Sequence, residues 1–466
     1  MKGDFTRNTF DPQHHFSRVL MQQGRVTLDA DYNEQAAILL HYLRTLAKDL
    51  IGPFGIPVSA EGGFALTPSE NGQDIKISRG RCYVDGFLVE NDAEAPSWRQ
   101  QPYLDVSKSD PDGLGAFLTG NGNPDRTFLL YLDVWERHVT AIEAPNTREV
   151  ALGGPDTCSR SQVVWQLKAE AYTTNPAPVN GEGALKLCTG EYARLTNAEV
   201  NRRAGATLTA DLDPVAGPVN ACITAPESRY RGLENQLYRV EIHDGSANGV
   251  FTFKWSRDNG SVAAGVVGLA QGGFEVTDSR GFETGDWVEM TFDEHDLLGK
   301  PGWVFQLAGV DGNTLLAAAD TLPNGIPGTW QSSFALTHPK IRRWNQTANE
   351  QQALTGGVIQ VSTATLNANP WVAIEDGLRV AFAPLGDYRC GDYWLIPARV
   401  ATGEIEWPRA REETGALNPQ PLPPEGILHH YAPLAFVKRG AGQPLTVWQC
   451  SCRLEPISHC EGIQVG

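Results

Sequence analysis

The chain has 466 residues, enough for about two to four domains whose cores need no disulfide or metal to hold them. Its formal charge is −17 and no Lys/Arg-rich run interrupts it, which argues against nucleic acid and against an anionic membrane surface as partners. Gly (48) and Pro (30) are abundant, as suits many short strands joined by turns.

The opening MKGDFTRNTFDPQHHF lacks the apolar core of a secretory signal, and no run approaches the roughly 18 apolar residues that span a bilayer. The expectation is synthesis in the cytoplasm without a signal peptide and no direct membrane insertion. VLMQQGRVTLDADYNEQ leads into the clearest helix of the chain. Asp31 and Glu34 stand at capping-box spacing, Ala36, Leu40, Leu43, Ala47 and Leu50 recur at helical spacing, and Gly52-Pro53 ends the pattern. Such a stripe packs either on the β body that follows or on another copy of the chain.

From about residue 55 the pattern changes to strands. IKISRGRCYVDGFLVE (75–90) predicts a hairpin turning at Asp85-Gly86, TFLLYLDVWERHVTAIE (127–143) a long central strand, and VVWQLKAEAY (163–172) a neighbour. Residues 106–125 read as a long loop and 173–190 as an irregular connection. YRVEIHDG (238–245) and GVFTFKWSRDNGSVAAGVVGL (249–269) predict strands with a hairpin turn at Asp258-Asn259-Gly260. Segments 274–294 and 303–320 continue in the same style and suggest a small barrel or sandwich. A last segment carries 371–382, 388–408, the Pro-rich loop 416–426 and 429–439. Gly285-Asp286-Trp287 and Gly391-Asp392-Tyr393 use one device twice: Gly and Asp turn the chain and the aromatic starts a strand. The fold class is mainly β, with an N-terminal arm and one amphipathic helix followed by two or three antiparallel sandwich or small-barrel domains. The expected division is 1–53, 54–222, 223–337 and 338–466.

Residues that could carry chemistry are few. Asp29, Asp31 and Asn33 have Ca-loop spacing, but Glu34 occupies the position of the required Gly and Leu40 that of the final Glu, so a helix cap fits better. Asp293, Glu294, His295 and Asp296 form an acidic knot that, with Asp133 and Glu136, contains the carboxylates a glycosidase pair would need; a solvated turn is the simpler reading. His14-His15 and His429-His430 are adjacent, which sends their rings to opposite faces of a strand. Cys82, Cys158, Cys188, Cys222 and Cys390 are scattered and read as buried thiols. Cys450, Cys452 and Cys460 crowd together beside His459; the spacing does not match zinc knuckles, and disulfides between subunits are the alternative to plain thiols. No nucleophile elbow, phosphate loop or His-Glu-x-x-His is present. No catalytic residue, metal ligand or cofactor is expected, and the chain does not read as an enzyme.

MKGDFTRNTFDPQHHFSRVLMQQGRVTLDADYNEQ, LENQLYRVEIHDG (233–245), FTFKWSRDNGSV (251–262), GFETGDWVEM (281–290), HPKIRRWNQ (338–346), GDYWLIPARVATGEIEWP (391–408) and HHYAPLAFV (429–437) resemble an uncharacterised family. Its members are associated with gene clusters for contractile phage tails and extracellular contractile injection systems. The resemblance implies a structural part of such a particle near the baseplate: a shell around the spike or a fibre adaptor. The implied partners are the baseplate and spike proteins of the same particle and further copies of the chain, as a trimer or hexamer. Release within an extracellular particle would follow. Residues 1–53 are then the attachment element, with Phe5, Arg7, Phe10, His15, Leu20, Arg25, Asp29, Asp31, Asn33 and Glu34 as assembly residues. A receptor or carbohydrate binder using Trp255, Trp287, Trp344 or Tyr393, and a surface-glycan hydrolase, are the alternatives.

Overall fold

Turn chemistry places many of the strands where the sequence puts them. In the computed structural model Asp85 and Gly86 take φ of 48° and 84°, the left-handed pair that a two-residue hairpin needs, between strands Gly80–Val84 and Phe87–Asn91. Gly285 and Gly391 sit at φ 91° and 89°, each two residues before a strand that starts on an aromatic, Trp287 or Tyr393. The structure describes residues 1–58, 62–93, 96–104, 113–120, 126–154, 156–172, 181–213, 229–326, 337–348, 353–411, 417–439, 444–450 and 452–454.

The architecture is β-dominated. Strand Thr127–Val139, apolar on both faces through its first half, lies centrally in a four-stranded sheet ordered Leu445–Gln449, His430–Arg439, Thr127–Val139, Arg160–Tyr172. A second four-stranded sheet is built from Phe54–Pro57, Gly80–Val84, Phe87–Asn91 and the short Arg453–Leu454, which pairs in parallel with Phe54–Pro57. Phe64, Val84, Val89, Trp165, Leu132 and Leu434 share the core that joins them. A six-stranded sheet runs Leu354–Thr355, Val358–Ser362, Val250–Ser256, Gln236–Ala247, Tyr393–Arg399, Glu404–Ile405. With the three-stranded sheet of Trp371–Ala373, Leu378–Phe382 and Leu208–Leu212 it encloses Tyr238, Trp255, Phe382, Tyr388 and Trp394. Ala263–Ala270, Gly273–Val276, Thr314–Ala317, Trp303–Asp311, Trp287–Thr291 and Lys340–Trp344 close into a six-stranded barrel around Val288, Phe305 and Ile341.

Pairing crosses the segment limits expected from sequence. His430–Arg439 binds Thr127–Val139, and Lys340–Trp344 completes the barrel. The turn at Asp258-Asn259-Gly260 exists, with Asn259 and Gly260 at φ 52° and 61°, but it does not close a hairpin. Val250–Ser256 pairs with Gln236–Ala247 around Asn248-Gly249, and the chain then passes through 258–260 into the barrel.

Two irregular segments contain helix. Leu114–Leu118 forms a short buried helix within the expected loop 106–125. More substantially, Gly181–Gly205 is a helix of 25 residues where 173–190 was expected to be irregular. Its buried stripe is Cys188, Glu191, Leu195, Glu199 and Arg202, at spacings of three and four. Three of these five are charged, so a search for apolar periodicity passes over it. Each charge is matched: Arg202 donates to Glu199 and to Asp392 at 2.7 Å, and Glu191 accepts from Tyr172 and Arg194. Cys188 is joined to Cys450 by a disulfide, which pins this helix to the chain just after Leu445–Gln449. That pairing corrects the reading of Cys188 as an isolated thiol. Cys452 is a free thiol, and Cys222 and Cys460 lie outside the described residues.

Candidate functional site

The N-terminal helix runs Asp29–Ile51. Leu28, not Asp31, holds the N-cap position and makes no side-chain bond there; the Asp31 carboxylate, three residues on, accepts the Leu28 N–H at 3.2 Å. The polar side of the helix holds it to the rest of the chain. Arg44 makes two hydrogen bonds to Glu136 and lies 3.7 Å over the Phe87 ring, and Lys48 is 2.8 Å from Asp85. The arm before it is tied to the helix at several points: Thr6 donates to Asp29, Thr9 to Glu34, the Val19 N–H to Gln35, and Phe10 rests on His41. Only Ala30 and Ile38 are buried apolar contacts of this helix.

The apolar side faces water. Of the expected stripe, Ala36, Leu40, Leu43 and Leu50 are exposed and Ala47 is half-buried. Tyr32 (77% exposed), Leu39, Tyr42 and Leu46 widen the exposed face, and the arm adds Phe16, Leu20, Met21, Val26 and Leu28. Among the described residues, half of the large hydrophobic side chains left exposed lie between Phe16 and Leu50. A contiguous apolar surface of this kind marks an interaction site, whereas scattered single hydrophobics do not.

The assembly residues named from sequence divide into two groups. Arg7, Phe10, Asp29, Asp31 and Glu34 make contacts that hold the arm and helix, Arg7 reaching Glu406 at 3.0 Å, and Phe5 is half-buried. His15, Leu20, Arg25 and Asn33 are exposed. Tyr32, Leu39, Tyr42 and Leu46 were not singled out from sequence, yet they carry much of the exposed face. For Tyr32, Leu39 and Leu46 the signal was the alternation of four- and three-residue steps through 32, 36, 39, 43, 46 and 50; Tyr42 lies beside that series.

A second feature is a seam of buried charge between the barrel and the neighbouring sheets, around a cavity of about 320 Å³. Lys254 of the six-stranded sheet contacts Glu289 of the barrel at 2.5 Å and Glu241 at 3.4 Å, and the Trp344 indole donates to Glu289. Lys340 binds Glu143 and Asp296 at 2.7 and 2.6 Å. Burial alone would push the Glu143 carboxyl up; the adjacent Lys340 ammonium and the Thr140 hydrogen bonds outweigh it and hold it at about 2. The Met1 amine donates to the Tyr393 hydroxyl at 2.7 Å, and Lys2 lies 3.0 Å from Glu241, so the first residues of the arm enter this seam.

The groups considered for catalysis are neutralised within these contacts. Asp133 is buried between Lys168 and His429, at 2.6 Å from each. Glu136 is bound by Arg44 and Ser161. Asp293 and Asp296 belong to a short helix, Asp293–Leu298, and not to a solvated turn; Asp293 takes Arg137 and His338, while Glu294 faces Lys300. The adjacent histidines serve separate carboxylates, His429 on Asp133 and His430 on Asp85. Burial pushes the Cys390 thiol up to about 12, which leaves it protonated and weakly nucleophilic. Among the described residues no group of three or more His, Cys, Asp or Glu side chains could hold a metal, and no helix is long and apolar enough to cross a membrane. Trp255 and Trp344 are each 1% exposed and belong to the interior. Tyr393 is half-buried under Arg239, and Trp287 borders an open groove of about 690 Å³ with Glu283, Asp286 and Gln306.

No curated protein matches the chain. Among solved structures TssK is similar, at 11% identity over 78% of this chain and 98% of TssK, with a TM-score of 0.17, a likeness too slight to carry an argument. A family match extends over residues 1–175 and 170–466, from one end of the sequence to the other, and the chain therefore belongs to the family of unknown function DUF6519.

Proposed function

We propose that this chain is a structural subunit of a phage-tail-like contractile injection particle, mounted at the baseplate as a shell around the spike or as a fibre adaptor, and that it acts by assembly and not by catalysis. The observation that carries the reading is the helix Asp29–Ile51, which spends its charged side on its own chain and leaves its apolar side in water. A subunit that worked alone would gain by the reverse arrangement. The place in a tail particle comes from the sequence resemblance. The neutralised carboxylates support a structural role over a hydrolase.

The test is to purify particles from cells that carry the complete gene cluster, identify their proteins by mass spectrometry and image them. The chain is expected at a fixed ratio to the tail proteins. Complete particles that lack it would remove the assignment.

One observation favours a second reading. The groove beside Trp287 joins an aromatic edge to carboxylate and amide groups, the mixture a sugar ring requires. Binding on a glycan array that is lost in Trp287→Ala would support it.

A further inference from the structure

We propose that the N-terminal helices of three or more copies of this chain pack together as a parallel coiled coil, so that the partner covering the exposed face is the same helix of other copies. The inference deepens the assembly reading above and rests on it. Tyr32, Ala36, Leu39, Leu43, Leu46 and Leu50 follow one another at steps of four, three, four, three and four residues, the spacing of the two core positions of a heptad. All six are exposed. The residues that hold the helix to its own body, among them Ala30, Glu34, Ile38, Arg44 and Lys48, lie on the opposite side of the same helix. Bundling therefore leaves these contacts in place, and each body would stand outside the bundle.

Charge and area select the occupant. A chain of net charge −17 repels its own copies over most of its surface. Beside the heptad core, however, stand Asn33, Gln35, Leu40, Tyr42 and Ala47, all uncharged, with Asp49 the exception at the end. Apart from Asp49, this face meets itself without like-charge contact. Tyr32, Leu39, Leu40, Tyr42, Leu43, Leu46 and Leu50, 44–77% exposed, offer apolar surface on the order of the ~800 Å² per partner that a specific interface buries. Leu40 and Tyr42 widen the face beyond the narrow seam that two helices share, which calls for three or more. In a ring of three or more identical subunits related by one rotation axis, helices along that axis are parallel and each residue faces its own copies.

The experiment uses the full chain in sedimentation equilibrium. The wild type is expected at three or more times the single-chain mass of 50.7 kDa. Leu39→Glu with Leu46→Glu is expected to return the single-chain mass while the unfolding midpoint of that single chain stays high, because both side chains are exposed in it. Under mild oxidation Leu43→Cys is expected to cross-link between copies beyond the level of the wild type, and Val150→Cys, 84% exposed but off the helix, is not. A wild type that sediments as a single chain, or an oligomer that survives the double substitution without a Leu43→Cys cross-link, overturns the coiled coil. Particle imaging separates that failure from failure of the assembly reading. If the glutamate variant is missing from particles although the wild type sediments as a single chain, the face serves a different tail protein. If it is incorporated normally, the attachment reading falls as well.

Discussion

Lys254 and Glu289 meet in the interior, 2% and 3% exposed. Removing one partner of such a pair strands the other charge, which costs about 3–5 kcal/mol, whereas replacing both by apolar groups of similar size costs far less. Glu289→Ala is therefore expected to lower the urea midpoint sharply, and Lys254→Met with Glu289→Leu is expected to recover part of that loss, the Trp344 indole lacking its acceptor in both variants. Acid acts on the same kind of contact. Asp85, held by His430, Lys48 and Tyr192 against the upward push of burial, and Glu143, held by Lys340, are both lowered to about 2. A carboxylate lowered in the folded state adds stability above its unfolded value, and that stability is lost as pH falls through the folded one. His138 works in the same direction. Burial, helped by nearby cations, lowers it to about 3, so below its ordinary 6.5 the unfolded chain binds the proton more readily. Unfolding free energy is expected to hold near neutral pH and to fall continuously from about pH 6.5 towards 2; a flat profile to pH 4 would contradict these assignments.

At the scale of elements, two helices are fastened to sheets by different means. Gly181–Gly205 is fixed by the Cys188–Cys450 disulfide and by Arg202 on Asp392. Joining residues 262 apart in sequence restricts the unfolded chain, and loss of such a link typically costs about 2–5 kcal/mol. Cys188→Ser is expected to lower the thermal midpoint, and a reducing agent is expected to lower the wild type to the same value and leave the variant unchanged. The N-terminal helix depends on a close approach instead. Gly86, at φ 84°, leaves no room for a side chain, since an added Cβ would stand 2.1 Å from the Arg44 carbonyl oxygen. Gly86→Ala is expected to cost about 1–3 kcal/mol through strain at this turn and to expose the helix to limited proteolysis before the sheets are cut.

Across the whole molecule the cores and the surface have different owners. The two four-stranded sheets, the six- and three-stranded sheets and the barrel each bury their own aromatic residues, and polar pins cross between them: Lys254 to Glu289, and Gln166 to the Leu297 carbonyl at 2.9 Å. The large exposed apolar surface is concentrated in the arm and first helix. Under the assembly reading, charging that surface changes mass and incorporation and leaves the sheets intact; charging the barrel core, for example Phe305→Glu, unfolds the chain. Comparing circular dichroism with sedimentation for the two classes of variant separates the outcomes.

Period and turn chemistry are local properties, and they were legible without coordinates: the strand-rich class, the hairpin at Asp85-Gly86, the Gly-Asp-aromatic strand starts and the first helix. The six core positions of the heptad pattern could also have been read there, but spacing does not say which side of a helix turns inward. Tertiary structure decided that, because Glu136, Asp85 and Phe87 offer Arg44 and Lys48 better partners than any apolar surface offers the leucines. It also decided the second long helix, whose buried Glu191, Glu199 and Arg202 carry no apolar period, and the pairing of Cys188 with Cys450. Contacts between residues hundreds of positions apart set charge against charge and sulfur against sulfur, and no local window of sequence contains both partners.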